Sequence, residues 1–192
     1  MDAHLCRLVV CFVATSNVME EAGMSNTPKD FGPVERLDAD AEGPPGQRVF
    51  RLLVASRVGS AALELEKEEL RALGVAIDQL LARVSGQPEW KYYGRAPEPY
   101  QPAPALPSPT VVDFKIGQLS LGYETETDMF IILAHDSEDD PEGPPTFSCL
   151  ATASQVRSLS RRIESVIAAG RPTCPLCGDP LEAEGHACVR AN

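Results

Sequence analysis

AALELEKEELRALGVAIDQLL (61–81) and FSCLATASQVRSLSRRIESVI (147–167) align without a gap. Apolar positions coincide at Leu70/Val156, Leu73/Leu159, Ile77/Ile163, Leu80/Val166 and Leu81/Ile167, and Arg71 falls on Arg157. Each stretch changes its period part-way. Leu63 and Leu65, like Cys149 and Ala151, alternate as residues of a strand do; the positions after them recur at i, i+3, i+7, i+10 and i+11, one face of a helix. Thr152 with Gln155 has the spacing of a capping box for the second helix, and Gly170 with Pro172 supplies its stop.

The likeness continues upstream. RVFRLLVAS (48–56) and DMFIILAHD (128–136) are both strand-like, and each leads by a turn into the strand before its helix. A weaker strand is expected near Val34–Ala39 and a better one at QLSLGYE (118–124), with VVDFKIG (111–117) as a hairpin partner for the latter. Each half thus reads β-β-β-α with antiparallel pairing, and the whole as an α+β fold of two such repeats, duplicated within one chain. The expected units are 24–85 and 111–170.

Between them runs GQPEWKYYGRAPEPYQPAPALPSPT (86–110), whose seven prolines mark a semi-rigid linker. It also holds Trp90, Tyr92, Tyr93 and Tyr100, which a plain spacer would not need. These aromatics either fold back to seal the end of the core or present a partner-binding surface. Ahead of the first repeat, LCRLVVCFVATS is apolar for too few residues to span a membrane and is a poor secretion signal. Met24 opens a more ordinary start, so residues 1–23 read as an upstream extension or a misplaced start, without fixed structure. Absence of a signal or span makes the cytoplasm the expected compartment.

Charge narrows the function. The formal net charge is −11, and phosphate backbones repel such a chain unless a basic patch is segregated. The densest basic cluster, Arg157, Arg161 and Arg162, sits on one expected helix and reads as its solvated face. Neither nucleic acid nor membrane is therefore an expected partner.

The chemistry is concentrated in CPLCGDPLEAEGHAC (174–188). Cys174 and Cys177 stand across one tight turn, a spacing from which two thiolates can grip one zinc ion. His186 and Cys188, two apart in an extended segment, point to the same side, and Gly185 lets the chain bend back. Cys174, Cys177, His186 and Cys188 together make a closed Cys₃His set with no open position, which points to a structural zinc knuckle within a tail at 171–192. The alternatives are a redox-active Cys-x-x-Cys and coincidence. Thioredoxin-like motifs begin a helix after a strand; this one follows a helix and leaves His186 and Cys188 unused. Around the tail, Arg171 and Arg190 face Asp179, Glu182 and Glu184, a poor balance for nucleic acid.

PPGQR (44–48), FKIGQLSLGYE (114–124) and the tail AAGRPTCPLCGDPLEAEGHACVRAN resemble the matching segments of a bacterial family, domain of unknown function 3090, found in actinobacteria and Chloroflexi. The family tail runs close to Cys-Pro-x-Cys-Gly, then Gly-His-x-Cys-Pro-Arg. Cys174, Pro175, Cys177, Gly178, Gly185, His186, Cys188 and Arg190 match it, with Val189 in place of the usual proline. The resemblance spans Met24 to the end and implies no known activity. It implies protein partners, since members are often encoded beside lipid-kinase-like and histidine-phosphatase-like proteins.

Elsewhere catalytic material is thin. His135 beside Asp136, ahead of Glu138, Asp139, Asp140 and Glu142, is the one candidate for hydrolysis, but adjacent strand residues point to opposite faces and the acidic run lacks calcium-loop spacing. A solvated loop is the simpler reading, and Cys149 reads as a buried small hydrophobe. No Walker A, G-x-G-x-x-G, G-x-S-x-G or H-E-x-x-H motif occurs. No catalytic residue is assigned. The expectation is a non-enzymatic binding or scaffolding protein with a structural zinc site; the alternative is an enzyme, either a thiol-disulfide catalyst at Cys174/Cys177 or a hydrolase using His135 and its acidic loop.

Overall fold

A computed structural model describes residues 7–10, 29–44, 46–86, 99–107, 110–140, 142–170 and, singly, Leu176, Cys188 and Arg190. Among these residues lie eight strands and two helices, mixed α+β: β1 (Arg7–Val10), β2 (Lys29–Pro33), β3 (Arg36–Glu42), β4 (Val49–Ala55), β5 (Ser60–Leu65), α1 (Lys67–Ser85), β6 (Thr110–Glu124), β7 (Met129–Asp136), β8 (Phe147–Ala151) and α2 (Ala153–Ala168). The strands form one sheet in the order β2-β8-β7-β6-β5-β4-β3, with β1 paired to β6 off this path.

Alternation makes the strands. In β3, Leu37, Ala39 and Ala41 are buried while Arg36, Asp38 and Asp40 are not; in β7, Phe130, Ile132 and Ala134 are buried while Ile131 and Leu133 are partly open. The runs β3-β4-β5 and β6-β7-β8 are antiparallel, as their short turns require. The expected antiparallel pattern does not extend to the contacts between the runs. β5 pairs with β6 in parallel, and β8 with β2 in parallel.

Two expectations need correction. VVDFKIG and QLSLGYE are not two hairpin strands but one fifteen-residue strand, β6. The register against β7 shifts between Ile116 and Gln118, so Gly117 marks a bulge instead of a turn. A Cβ on Gly117 would stand 2.7 Å from Ser137 Cα, and Ser137 N donates to Lys115 O at 2.8 Å. Glycine is there because another backbone passes over it. Secondly, β2 precedes the strand expected near Val34–Ala39. Its Phe31 stacks on Phe147 of β8 with centroids 4.9 Å apart. Within the segment read as an extension, Arg7–Val10 pairs in parallel with Gln118–Leu121.

The helices follow their caps. Thr152 and Gln155 form the expected capping box on α2, and Glu66 with Glu69 forms one on α1. Gly86, in the left-handed region at φ 61°, ends α1. The apolar stripes of both helices face one core, with Leu70, Leu73, Ile77, Val156, Leu159 and Ile163 at 2% exposure or less. Such side chains stabilise the fold by roughly 1.5–3 kcal/mol each on burial.

α1 and α2 pack on each other at Gly74, where a Cβ would stand 3.1 Å from Ile163 Cγ2. One polar pair lies at this seam: Ser160 Oγ donates to Asp78 Oδ1 at 2.7 Å, and both side chains are buried. Burial raises the Asp78 pKa; the Ser160 hydrogen bond opposes that, the Glu164 charge adds to it and Arg161 reduces it.

Two predictions follow from these contacts. Gly117→Ala should destabilise the protein by about 1–3 kcal/mol, read by urea unfolding, because the Ser137 backbone must move. Asp78 has a folded pKa above its ordinary 3.8. Its ionisation therefore costs stability as pH rises through and above that value, and the cost is absent well below it. Asp78→Asn, which keeps an acceptor for Ser160, should raise the melting temperature at pH 7 relative to the unchanged chain, and the gain should vanish near pH 3.

Candidate functional site

The expected metal ligands Cys174, Cys177 and His186 lie outside the described residues; Cys188 is described and partly buried. Two of the tail's described residues are joined by a hydrogen bond. Arg190 Nη1 donates to Leu176 O at 3.2 Å. Leu176 is flanked by Pro175 and Cys177, and Arg190 stands two residues beyond Cys188. Among the described residues no group of three or more His, Cys, Asp and Glu side chains is placed to hold a metal ion.

His135 is buried at 7% exposure, and its Nδ1 has no hydrogen-bond partner among the described residues. Desolvation lowers its pKa below 6.5, with the Asp139 carboxylate opposing. The neighbouring carboxylates are occupied locally. Asp136 Oδ1 accepts from Glu138 N at 3.0 Å, Asp140 Oδ1 from Glu142 N at 3.0 Å, and Asp139 Oδ2 from Thr146 Oγ1 at 2.6 Å. Glu138 and Asp140 are exposed. These are the bonds of a loop closing its own turns, and they do not bring Glu138 or Asp140 onto His135. Cys149 is wholly buried, and burial pushes its thiol up to about 12, so it behaves as a small core residue.

A third cluster has the densest long-range polar contacts among the described residues. Residues 99–107, the second half of the expected linker, lie along β3. Tyr100 OH donates to Asp40 Oδ1 and, at 3.1 Å, to Ala41 O. Ala103 N donates to Asp40 Oδ2 at 3.0 Å, and the Arg36 guanidinium donates to Pro104 O at 2.8 Å and Ala105 O at 3.2 Å. Ser60 Oγ completes the track by donating to Pro107 O at 2.7 Å.

Arg162 comes in from α2. Its Nε donates to Ala39 O at 2.9 Å and pairs with Asp38 Oδ1 at 3.2 Å, while Nη2 lies 3.6 Å from Asp40 Oδ1. Arg162 and Arg48 both approach the Tyr100 ring, at 5.2 and 5.7 Å from its centroid. Desolvation raises the Tyr100 pKa, as does its hydrogen bond to Asp40.

Arg162 is thus not part of a solvated face. Its side chain is 19% exposed, because its partners Asp38 and Asp40 sit on a strand more than a hundred residues away. Of the two readings for the linker aromatics, Tyr100 takes the first and packs against the core. Trp90, Tyr92 and Tyr93 lie outside the described residues.

A family model described as a protein of unknown function (DUF3090) matches residues 29–188. The chain belongs to this family. The DUF3090 match begins at the first residue of β2 and ends at Cys188, so it takes in both helices, the strap at 99–107 and all four candidate ligands. No curated protein and no solved structure matches the chain. No helix among the described residues is long and apolar enough to cross a membrane.

The strap yields a test. Tyr100→Phe keeps the ring near its two guanidiniums and removes only the hydroxyl. It should cost about 1–2 kcal/mol in urea unfolding, and limited proteolysis within 99–107 should accelerate.

Proposed function

We propose that this DUF3090 protein is a non-enzymatic binding or scaffolding protein whose C-terminal tail is fastened by a structural zinc ion on Cys174, Cys177, His186 and Cys188. The observation that supports the zinc reading is the 3.2 Å hydrogen bond from Arg190 to Leu176 O, which joins a residue two beyond Cys188 to the residue just before Cys177. The donor set fits zinc on its own chemistry: three thiolates and one imidazole complete a tetrahedron and leave no site for water or substrate. Bound there, zinc supplies folding energy for a segment with no apolar stripe of its own. The thiolates must stay reduced to serve as ligands, in keeping with a cytoplasmic setting. A protein partner, drawn from the kinase-like and phosphatase-like neighbours that the family resemblance implies, suits the lack of an assembled catalytic group among the described residues.

We further infer that the body of the protein is an internal duplication of a β-β-β-α unit. Three features support it. Each helix follows a three-strand antiparallel run, and each run meets the other half through a parallel pair, β5 with β6 and β8 with β2. β6 is the counterpart of β2 and β3 in line, bent at Gly117 where the first half bends between β2 and β3. The loop between β7 and β8 is longer than its counterpart between β4 and β5, so the upstream strands match at a smaller offset than the helices do.

Metal analysis of the purified protein should find about one zinc per chain, and Cys177→Ser or His186→Ala should remove most of it. Stripping the metal with a chelator should lower the melting temperature and open 171–192 to protease. A metal-free protein that melts unchanged refutes the zinc reading.

A further inference from the structure

β3 and the 118–124 part of β6 hold equivalent places. Each is the first member of an antiparallel run that ends in a helix, and each pairs with the next strand on one side. On the other side they differ. β3 ends the sheet, and side chains close its free edge. Arg162 Nε takes Ala39 O and Tyr100 OH takes Ala41 O. The two carbonyls are two residues apart, the interval at which outward-facing groups recur along one edge of a strand. Asp40, between them, holds the strap through Ala103 N. An edge left bare would invite another chain, and β3 is closed by donors from α2 and the strap.

β6 satisfies the same edge with a strand. Gln118–Leu121 pairs in parallel with Arg7–Val10, in the register Arg7↔Gln118, Leu8↔Leu119, Val9↔Ser120 and Val10↔Leu121. α1 packs against β1. In the ungapped match of the two helices, Arg162 corresponds to Ala76, which has no side-chain donor and is too short to reach a strand edge. α2 carries the group that closes β3; α1 has a small residue there, and the edge beside it is completed by main chain.

We propose that the Gln118–Leu121 edge of β6 is a strand-acceptor site, filled here by the chain's own Arg7–Val10 and able to take the same segment of a second copy. The acceptor lies inside the 29–188 family match and the donor lies outside it. Recognition is through main-chain hydrogen bonds, which an identical segment from another molecule reproduces in the same register. The eighteen residues of 11–28 separate donor from β2. At full extension that length reaches roughly 60 Å, enough to cross between neighbouring molecules. The fitting occupant is a second copy, since Arg7–Val10 is the segment whose register with this edge is defined.

The test uses full-length chains and reads disulfides by peptide mass, so that native cysteines do not enter. Directly opposed residues of neighbouring strands lie within disulfide reach, so Val9→Cys and Ser120→Cys on one chain should link 9 to 120 under mild oxidation. A Val9→Cys chain mixed with a Ser120→Cys chain can form that link only between molecules. The intermolecular 9–120 link should accumulate at least about tenfold over the mismatched pair Val9→Cys with Thr127→Cys, since register raises the effective concentration. A double variant that links while the mixture does not overturns exchange between copies. A double variant that does not link overturns the acceptor site itself. Should Ser120→Cys fail to fold, Arg7→Cys with Gln118→Cys reads the same register independently.

Discussion

The close passage of Ser137 over Gly117 is the contact on which the architecture depends. It bends β6 without breaking it, so that one strand serves both halves. Before the bulge, Thr110–Lys115 pairs in parallel with β5; beyond it, Gln118–Glu124 pairs with β7. A side chain at 117 would push Ser137 away and loosen the junction through which the halves share a sheet. The helices add a second constraint of the same kind. At Gly74 the absence of a Cβ lets α1 and α2 approach closely, and the core beneath them is continuous from Leu63 to Val166. Close packing of this kind leaves little freedom for independent motion of the two halves.

Among the described residues, the polar groups of this frame bond to one another and to the backbone. Asp78 and Ser160 satisfy each other across the helix seam. Asp136, Asp139 and Asp140 close a loop, and Arg36, Asp40, Tyr100 and Arg162 bind the strap and cap a strand edge. With Asp38, which pairs with both arginines, the last group sets two positive charges against two negative, so its attraction is local and adds little to the long-range field of a chain at net charge −11. Buried or half-buried charges of this sort are sustained by mutual pairing; removing one partner leaves the other desolvated and alone.

Much of the fold was legible in the sequence. The change of period at Leu65 and at Ala151 located both strand-to-helix junctions, and the Thr152–Gln155 spacing located a cap, because these are interactions between near neighbours. What was illegible depended on distant partners. KIGQLS reads as a turn, since glycine punctuates turns; only the approach of Ser137, twenty residues on, makes it a bulge. Arg162 matched a solvated helix face, and nothing in its own helix reveals Asp38 and Asp40. Tyr100 was visible as an aromatic out of place in a proline-rich run, which is why one of its two readings was near the mark. For the tail, the zinc proposal rests on the spacing of Cys-x-x-Cys and His-x-Cys, with the Arg190–Leu176 hydrogen bond beside it.

These considerations separate what holds the protein together from what it offers to others. A single apolar core runs beneath both helices of the body. On the zinc reading, the metal organises only the segment beyond α2, where the apolar periodicity has ended. Among the described residues, interaction capacity then belongs to edges: a β3 edge closed by Arg162 and Tyr100, and a β6 edge completed by a short strand from far along the chain. A closed edge protects against pairing at the cost of fixed side chains. An edge completed by a tethered strand protects equally well, but its protection is a binding equilibrium, and an equilibrium has a competitor. On the strand-acceptor proposal, this difference between the two edges puts a second molecule at the β6 side and not at the β3 side.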